Sequence, residues 1–147
     1  MKKPTLILYW AARILAAGLM AQTLYFKFTG SEESVYIFTT VGMEPWGRIG
    51  VGVMELIASV LILISVTSWL GAGLALGLMG GAIIMHLTIL GVAVPDGSGQ
   101  DDGGQLFLYA VIVAVCSAFI LYINKEKITS MIKSFRLING TGAARKD

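Results

Sequence analysis

The stretch GVMELIASVLILI, residues 52–64, places one carboxylate, Glu55, in a run that otherwise suits hydrocarbon. An ionised carboxylate is costly in such surroundings, so it needs a partner there. Outward from this stretch the chain keeps the same character, since 56% of its 147 residues are hydrophobic and only 14% are charged. Soluble domains carry about 25% charged residues. The composition therefore predicts a protein embedded in a membrane.

Four apolar runs are long enough to cross about 30 Å of bilayer hydrocarbon as helices, because a helix rises about 1.5 Å per residue. They are residues 6–28, 46–66, 69–94 and 106–123. The predicted fold class is all-α, an integral membrane four-helix bundle. The first run contains Arg13 and Gln22 and lacks a small-residue cleavage site. We therefore expect it to be retained rather than removed as a signal peptide.

Basic residues outside the runs lie near the two ends of the chain: Lys2, Lys3, Lys125, Lys127, Lys133, Arg136, Arg145 and Lys146. Acidic residues occupy the loops after the first and third runs: Glu32, Glu33, Glu44, Asp96, Asp101 and Asp102. The positive-inside rule then predicts a multi-pass membrane protein with both termini cytoplasmic and both loops outside. A bacterial cytoplasmic membrane is the expected location. Because the net charge of +2 is divided between two sides of a membrane, it does not indicate nucleic-acid binding.

The segment between the first two runs is predicted to form a short amphipathic outer helix. Ser31 is suited to cap its first turn, and acidic residues follow at the positive end of the helix dipole. The residues at helical spacing are Val35, Phe38, Thr39 and Gly42. We expect the helix to stop at Glu44 and Pro45, since the residue before a proline disfavours the helical conformation.

Residues 1–124 are predicted to form the four-span domain, and residues 125–147 a basic cytoplasmic tail. In the tail, one apolar stripe recurs at helical spacing and is flanked by basic residues; its members are Ile128, Met131, Ile132 and Phe135. This pattern is typical of an amphipathic helix that lies on an anionic membrane surface. A straight continuation of the fourth span is the alternative.

Five ionisable residues lie inside the predicted spans and are candidate members of a ligand-binding site or buried charge network: Arg13, Lys27, Arg48, Glu55 and His86. Counting along the first two spans from opposite membrane edges places Arg13 and Glu55 at overlapping depths. We therefore predict that Arg13 neutralises Glu55, with Arg48 or Lys27 as the next partner. Two interpretations stay open: a structural ion pair, or direct participation in ligand binding or proton movement.

His86 is the only histidine and Cys116 the only cysteine, so haem ligation by two histidines of this chain and an internal disulfide are both excluded. No metal site is predicted. His86 could exchange a proton, bond the carbonyl of a quinone or another lipid-like ligand, or simply bond a neighbouring helix. Separately, Gly73, Gly77 and Gly81 form a small-residue series that permits close helix packing, within the chain or against another subunit.

Three segments carry a family resemblance: ARILAAGLMAQTLYFKF (12–28), PWGRIGVGVMELIASVLIL (45–63) and GLMGGAIIMHL (77–87). With Arg13, Lys27, Glu55 and His86 in that order across successive spans, the chain resembles the DoxX family of small four-helix membrane proteins over roughly residues 8–124. The resemblance implies a role close to a quinone, because the family is named after a subunit of a thiosulfate:quinone oxidoreductase. Other relatives are assembly factors or partners in oxidative stress.

These observations favour a membrane subunit of a redox assembly that binds a quinone or a similar ligand without covalent attachment. The chain lacks the cysteines and further histidines of a self-sufficient redox enzyme, so it would act as an accessory subunit of a quinone-linked oxidoreductase. Two alternatives remain: a non-enzymatic scaffold or assembly chaperone, and a small oligomeric proton-coupled transporter. The expected partners are the lipid bilayer and other protein subunits or further copies of the chain, with no nucleic acid.

Overall fold

The computed structural model describes the backbone of residues 3–143 and the side chains of residues 3–135. Lys2, Arg145 and Lys146 lie outside the described residues, and so does the Arg136 side chain. The helices are α1 (Lys3–Thr29), α2 (Glu32–Thr40), α3 (Trp46–Leu63), α4 (Ser68–Met85), a π-helical turn (His86–Leu90), α5 (Gln105–Ile123) and α6 (Lys125–Ala143). Four of them are long and apolar enough to cross a membrane, and residues 3–143 contain no β-strand. The all-α four-span prediction is confirmed.

The four long helices form a closed ring in which each packs against two neighbours, in the order α1, α3, α4, α5 and back to α1. Small side chains fill much of the centre; Ala16, Ala58, Ala72 and Ala75 are completely buried. Small residues let helix backbones approach closely, which is how helices associate where lipid is as apolar as the side chains. Large Leu, Ile, Val and Phe side chains instead cover the outside of the ring.

The glycine series of α4 was predicted to pack closely against a helix, either of the same chain or of another subunit. It does not pack within the described chain. No atom lies within 4 Å of a Cβ built on Gly73, Gly77 or Gly81, so this stripe does not contact another helix within the described chain. The close approach occurs at Gly71, where a Cβ would lie 2.5 Å from the backbone nitrogen of Ile62. Gly71 points nearly opposite to Gly73 on the helix, because successive residues are about 100° apart. Same-chain packing of the stripe was the wrong alternative, and contact with another subunit stays a prediction.

Helix α2 begins as predicted and ends sooner. The Ser31 hydroxyl accepts a hydrogen bond from the Ser34 amide at 3.3 Å, which caps the first turn. The last turn closes when the Met43 amide donates to the Phe38 carbonyl at 2.7 Å, with Gly42 at a φ of +78°. A residue in that left-handed conformation cannot continue a helix, so α2 stops before Glu44 and Pro45 are reached. Helix α2 packs on α1, α3 and the π-helical turn, and the end of the bundle that it covers is called the α2 end below.

The third span also ends before the predicted residue 94, because Gly91 turns the chain with a φ of +85°. The loop that follows is organised by Asp102, whose carboxylate accepts 2.9 Å hydrogen bonds from the amides of Val94, Gly104 and Leu106. Burial acts to raise the pKa of Asp102, but the three amide bonds together hold it below the usual value. Asp102 thus tethers the loop to the first turn of α5.

Candidate functional site

Glu55 forms an ion pair across the bundle with Lys27. The Lys27 Nζ lies 2.9 Å from Glu55 Oε2, and the two side chains keep only 15% and 5% of their surface exposed. The same Nζ donates to Thr23 Oγ1 at 3.1 Å, one helical turn earlier on α1. The pair joins α1 to α3 near the α2 end, and it answers how a carboxylate is accommodated in an apolar stretch.

Arg48 does not contact Glu55. Its Nε and Nη2 donate to both carboxylate oxygens of Glu44, at 2.7 to 2.9 Å, and its Nη1 donates to the backbone carbonyl of Lys27. Arg48 therefore fastens the start of α3 to the end of α1. This contact holds the Lys27 backbone and so helps to place the ammonium group that pairs with Glu55.

His86 lies at the start of the π-helical turn with 5% of its surface exposed. Its Nδ1 is 2.8 Å from the Gly91 carbonyl oxygen. A carbonyl only accepts, so Nδ1 carries a proton and the second ring nitrogen, Nε2, is left to bind something else. The edge of the ring packs on Phe107, with ring centroids 5.7 Å apart.

A cavity of about 140 Å³ brings Lys27, Glu55 and His86 together beneath α2. Most of its wall is apolar, formed by side chains of all four spanning helices and of α2: Leu19, Met20, Phe26, Ile37, Phe38, Val51, Leu78, Met79, Ala82, Leu106, Ala110 and Val113. The other polar lining residues are Thr23, Glu33, Ser34 and Tyr109. Glu55 Oε1 and His86 Nε2 make no hydrogen bond within the described residues, and neither atom is completely enclosed by protein. The wall is thus apolar with a few polar groups, as in many small-molecule sites.

Residues 8–88, more than half of the chain, match the DoxX family profile. The chain belongs to the DoxX family. The matched range contains all five ionisable residues singled out in the spans, together with most of the cavity wall. Comparison with curated proteins and with solved structures gives no match.

The predicted pairing of Arg13 with Glu55 is wrong for this DoxX protein. Arg13 is completely buried at the opposite end of the bundle, where its Nε and Nη2 donate to the Ile62 and Leu63 carbonyls, each at 2.7 Å. Its guanidinium also lies 3.9 Å from the centre of the Trp10 ring. The last carbonyls of a helix lack intrahelical partners and carry its partial negative charge. Arg13 is therefore compensated by the end of α3, and depth counting could not reveal that acceptor.

Four polar cavity residues were not predicted as site residues from the sequence of this DoxX protein: Thr23, Glu33, Ser34 and Tyr109. Thr23 lies four residues before Lys27, so the same-face rule for helices could have found it. Glu33 was interpreted only as a favourable charge for the α2 dipole. Tyr109 gave no signal, because its place beside the cavity depends on how α5 packs.

Glu33 lies in a crowded acidic environment at the cavity. Burial raises the pKa of its carboxyl group, and the nearby charges of Asp102 and Asp96 raise it further, while Lys27 opposes them. Ionised Glu33 is therefore less favourable in the folded protein than in the unfolded chain.

Among the described residues, no group of three or more His, Cys, Asp or Glu side chains is placed to hold a metal ion.

Replacing Glu33 by glutamine is expected to stabilise the DoxX protein at pH 7. A raised folded-state pKa contributes stability below the usual value of 4.5, and this contribution disappears as the pH rises through the folded-state pKa. The variant should therefore exceed the wild type in melting temperature at pH 7 and lose that advantage at pH 4. Thermal unfolding in detergent micelles at both pH values measures this. An unchanged difference at the two pH values would contradict it.

Proposed function

We propose that this DoxX-family membrane protein binds the ring of a quinone in the cavity beneath α2 and serves as the quinone-proximal membrane subunit of a redox assembly. The observation that carries the proposal is the state of His86. One of its ring nitrogens is bonded to the Gly91 carbonyl, and the other lies beside an apolar cavity with no hydrogen bond to the part of the chain that the structure describes. That arrangement suits a hydrogen bond to an oxygen on an otherwise apolar ring.

The size of the cavity supports a ring-sized ligand. An apolar cavity of about 150 Å³ in another protein holds benzene, and this one measures about 140 Å³. The site is too small for a long isoprenoid tail, since pockets for larger ligands occupy about 300–1,000 Å³. The tail of a membrane quinone would extend into lipid.

The polar groups of the site have different chemical roles. His86 Nε2 accepts a proton or hydrogen bond when the ring is neutral and donates one when it is charged. Lys27 supplies a positive charge that Glu55 balances, so the cavity gains donors without an uncompensated charge. A bound quinone supplies two-electron chemistry. Electrons would have to come from a partner subunit, because Cys116 is the only cysteine and no thiol pair exists in the chain.

His86→Ala is expected to weaken binding of a short-chain quinone, decylubiquinone, by about 2- to 12-fold. One hydrogen bond contributes about 0.5–1.5 kcal/mol, and about 1.4 kcal/mol corresponds to tenfold in affinity. Equilibrium dialysis of protein in lipid nanodiscs measures the affinity. The matched control is Thr88→Ala in the same π-helical turn, since Thr88 is exposed and, among the residues with described side chains, its hydroxyl bonds only the Ile84 carbonyl.

Failure of the folded wild type to bind the quinone would overturn the proposal. Equal affinity of the wild type and His86→Ala would remove His86 from the site while leaving the cavity as a candidate. Co-purification of a partner is a second measurement. The proposal predicts that a redox protein co-purifies with the wild type and also with His86→Ala.

A scaffold role is the second candidate, and one observation favours it. Gly73, Gly77 and Gly81 form an exposed small-residue stripe on a membrane-spanning helix, open to contact with a helix of another subunit. If the protein is a scaffold, Gly77→Leu should abolish co-purification of the partner. The partner should then bind whether or not a quinone occupies the cavity. The two functions are separated by testing both variants in both assays.

A further inference from the structure

Helix α6 begins at Lys125, separated from the end of α5 by Asn124 alone, and leaves the bundle. Its described contacts are mainly with α5, and its first turn is held by Lys127, whose Nζ donates to the Val66 carbonyl at 2.8 Å. Val66 lies in the short turn between α3 and α4. The start of α6 is therefore fixed at the end of the bundle opposite α2.

One face of α6 is apolar and uncovered. The apolar stripe of α6 consists of Ile128, Met131, Ile132 and Phe135. Met131, Ile132 and Phe135 are 47%, 51% and 67% exposed. Four apolar side chains at this spacing lie along one side of a helix, and leaving them in water is unfavourable. Something in the native environment covers this stripe.

The basic residues of α6 lie where a membrane-bound helix needs them. At about 100° per residue, Lys125 and Lys127 fall on either side of the apolar stripe, and Lys133 lies farther round on the polar face. Lysines at the edges of an apolar face reach the headgroup level while their methylene stems cover apolar surface. Lys125, Glu126, Lys127 and Lys133 give the described side chains of this helix an excess of positive charge.

We propose that α6 lies on the membrane surface at this end of the bundle, with its apolar stripe in the headgroup–acyl boundary and the lysines at the edges of the stripe, Lys125 and Lys127, near the phosphates of anionic phospholipid. Position supports lipid as the occupant: Ile128 follows the end of α5 by five residues, about 8 Å of helix, so the stripe starts close to the bilayer. Size disfavours a second copy, because a stable interface buries about 800 Å² per partner and this stripe spans about two turns. The proposal is independent of the cavity and its ligand.

The test places an environment-sensitive fluorophore on either face of α6 in the full chain. Cys116→Ser removes the native thiol, and Ile132→Cys labels the stripe. The matched control is Ser130→Cys, nearly opposite on the helix. Each protein is reconstituted in vesicles of phosphatidylcholine alone or mixed with phosphatidylglycerol, and quenching by lipids brominated on their acyl chains is measured. In the anionic vesicles we expect at least twofold more quenching at position 132 than at position 130.

Charge dependence completes the test. Lys125→Gln combined with Lys133→Gln should reduce quenching at position 132 in anionic vesicles, and raised salt should do the same, because exposed charges are screened. Equal quenching at positions 132 and 130 would overturn the proposal. So would a label at position 132 that is shielded from both water and lipid, since that result identifies a protein partner on the stripe.

Discussion

Replacing Glu55 by alanine is expected to lower the free energy of unfolding by about 3 kcal/mol. Removing one member of a buried ion pair costs about 3–5 kcal/mol, because the remaining charge is left without compensation. We expect the lower end of that range, since Lys27 lies close to the end of α1 and keeps its bond to Thr23. Unfolding of the protein in detergent micelles by a denaturing detergent measures the loss.

The double variant Lys27→Met, Glu55→Gln separates charge compensation from simple packing. If the loss in Glu55→Ala comes from the orphaned ammonium group, the double variant should recover most of it. The matched control is Glu44→Ala, which breaks the pair with Arg48, whose side chains keep 20% and 11% of their surface exposed. It should cost less than Glu55→Ala, because Arg48 keeps its hydrogen bond to the Lys27 carbonyl. Equal losses in Glu55→Ala and Glu44→Ala would contradict this account of the buried pair.

Arg13→Met should destabilise the opposite end of the bundle by about 3–6 kcal/mol, the loss expected for two hydrogen bonds to a charged group. The substitution keeps an unbranched apolar side chain but removes the donors to the Ile62 and Leu63 carbonyls. Hydrogen bonds to charged groups contribute about 1.5–3 kcal/mol each, and a buried carbonyl left unpaired adds a penalty. Hydrogen exchange at the end of α3 should increase more than exchange near Glu55.

Arg13→Lys provides the graded comparison, because one ammonium group keeps the charge but cannot reproduce the planar fork of a guanidinium. It should fall between the wild type and Arg13→Met. The control is Ile14→Met, the next residue along α1, whose side chain is 60% exposed on the outside of the ring. If Arg13→Met were no less stable than Ile14→Met, the capping role of Arg13 would be wrong.

The two predictions concern two cations, Lys27 and Arg13, that have very different partners. Lys27 meets a carboxylate beside the cavity, so changes there should alter both stability and ligand binding. Arg13 meets backbone carbonyls far from the cavity, so its loss should alter stability alone. Measuring quinone affinity in both sets of variants therefore also tests whether the site occupies the α2 end.

The membrane class, the four spans, the Ser31 cap and the set of in-span charges all follow from the sequence, because each depends on composition or on short helical spacing. The amphipathic pattern of α6 is equally local. The family match to residues 8–88 adds no geometry beyond this. The sequence alone therefore identifies which charged residues in the spans need a compensating partner.

Only the tertiary structure decided which partners they have. Glu55 could have paired with any of three cations, Arg13, Lys27 or Arg48. In the packed ring of helices it pairs with Lys27, and Arg13 instead bonds carbonyls at the end of α3. The physical reason is that pairing depends on helix rotation and depth to within a few ångströms, whereas residue counting leaves both uncertain by about a helical turn of 5.4 Å. The cavity exists for the same reason, since its walls come from five helices that no local pattern relates.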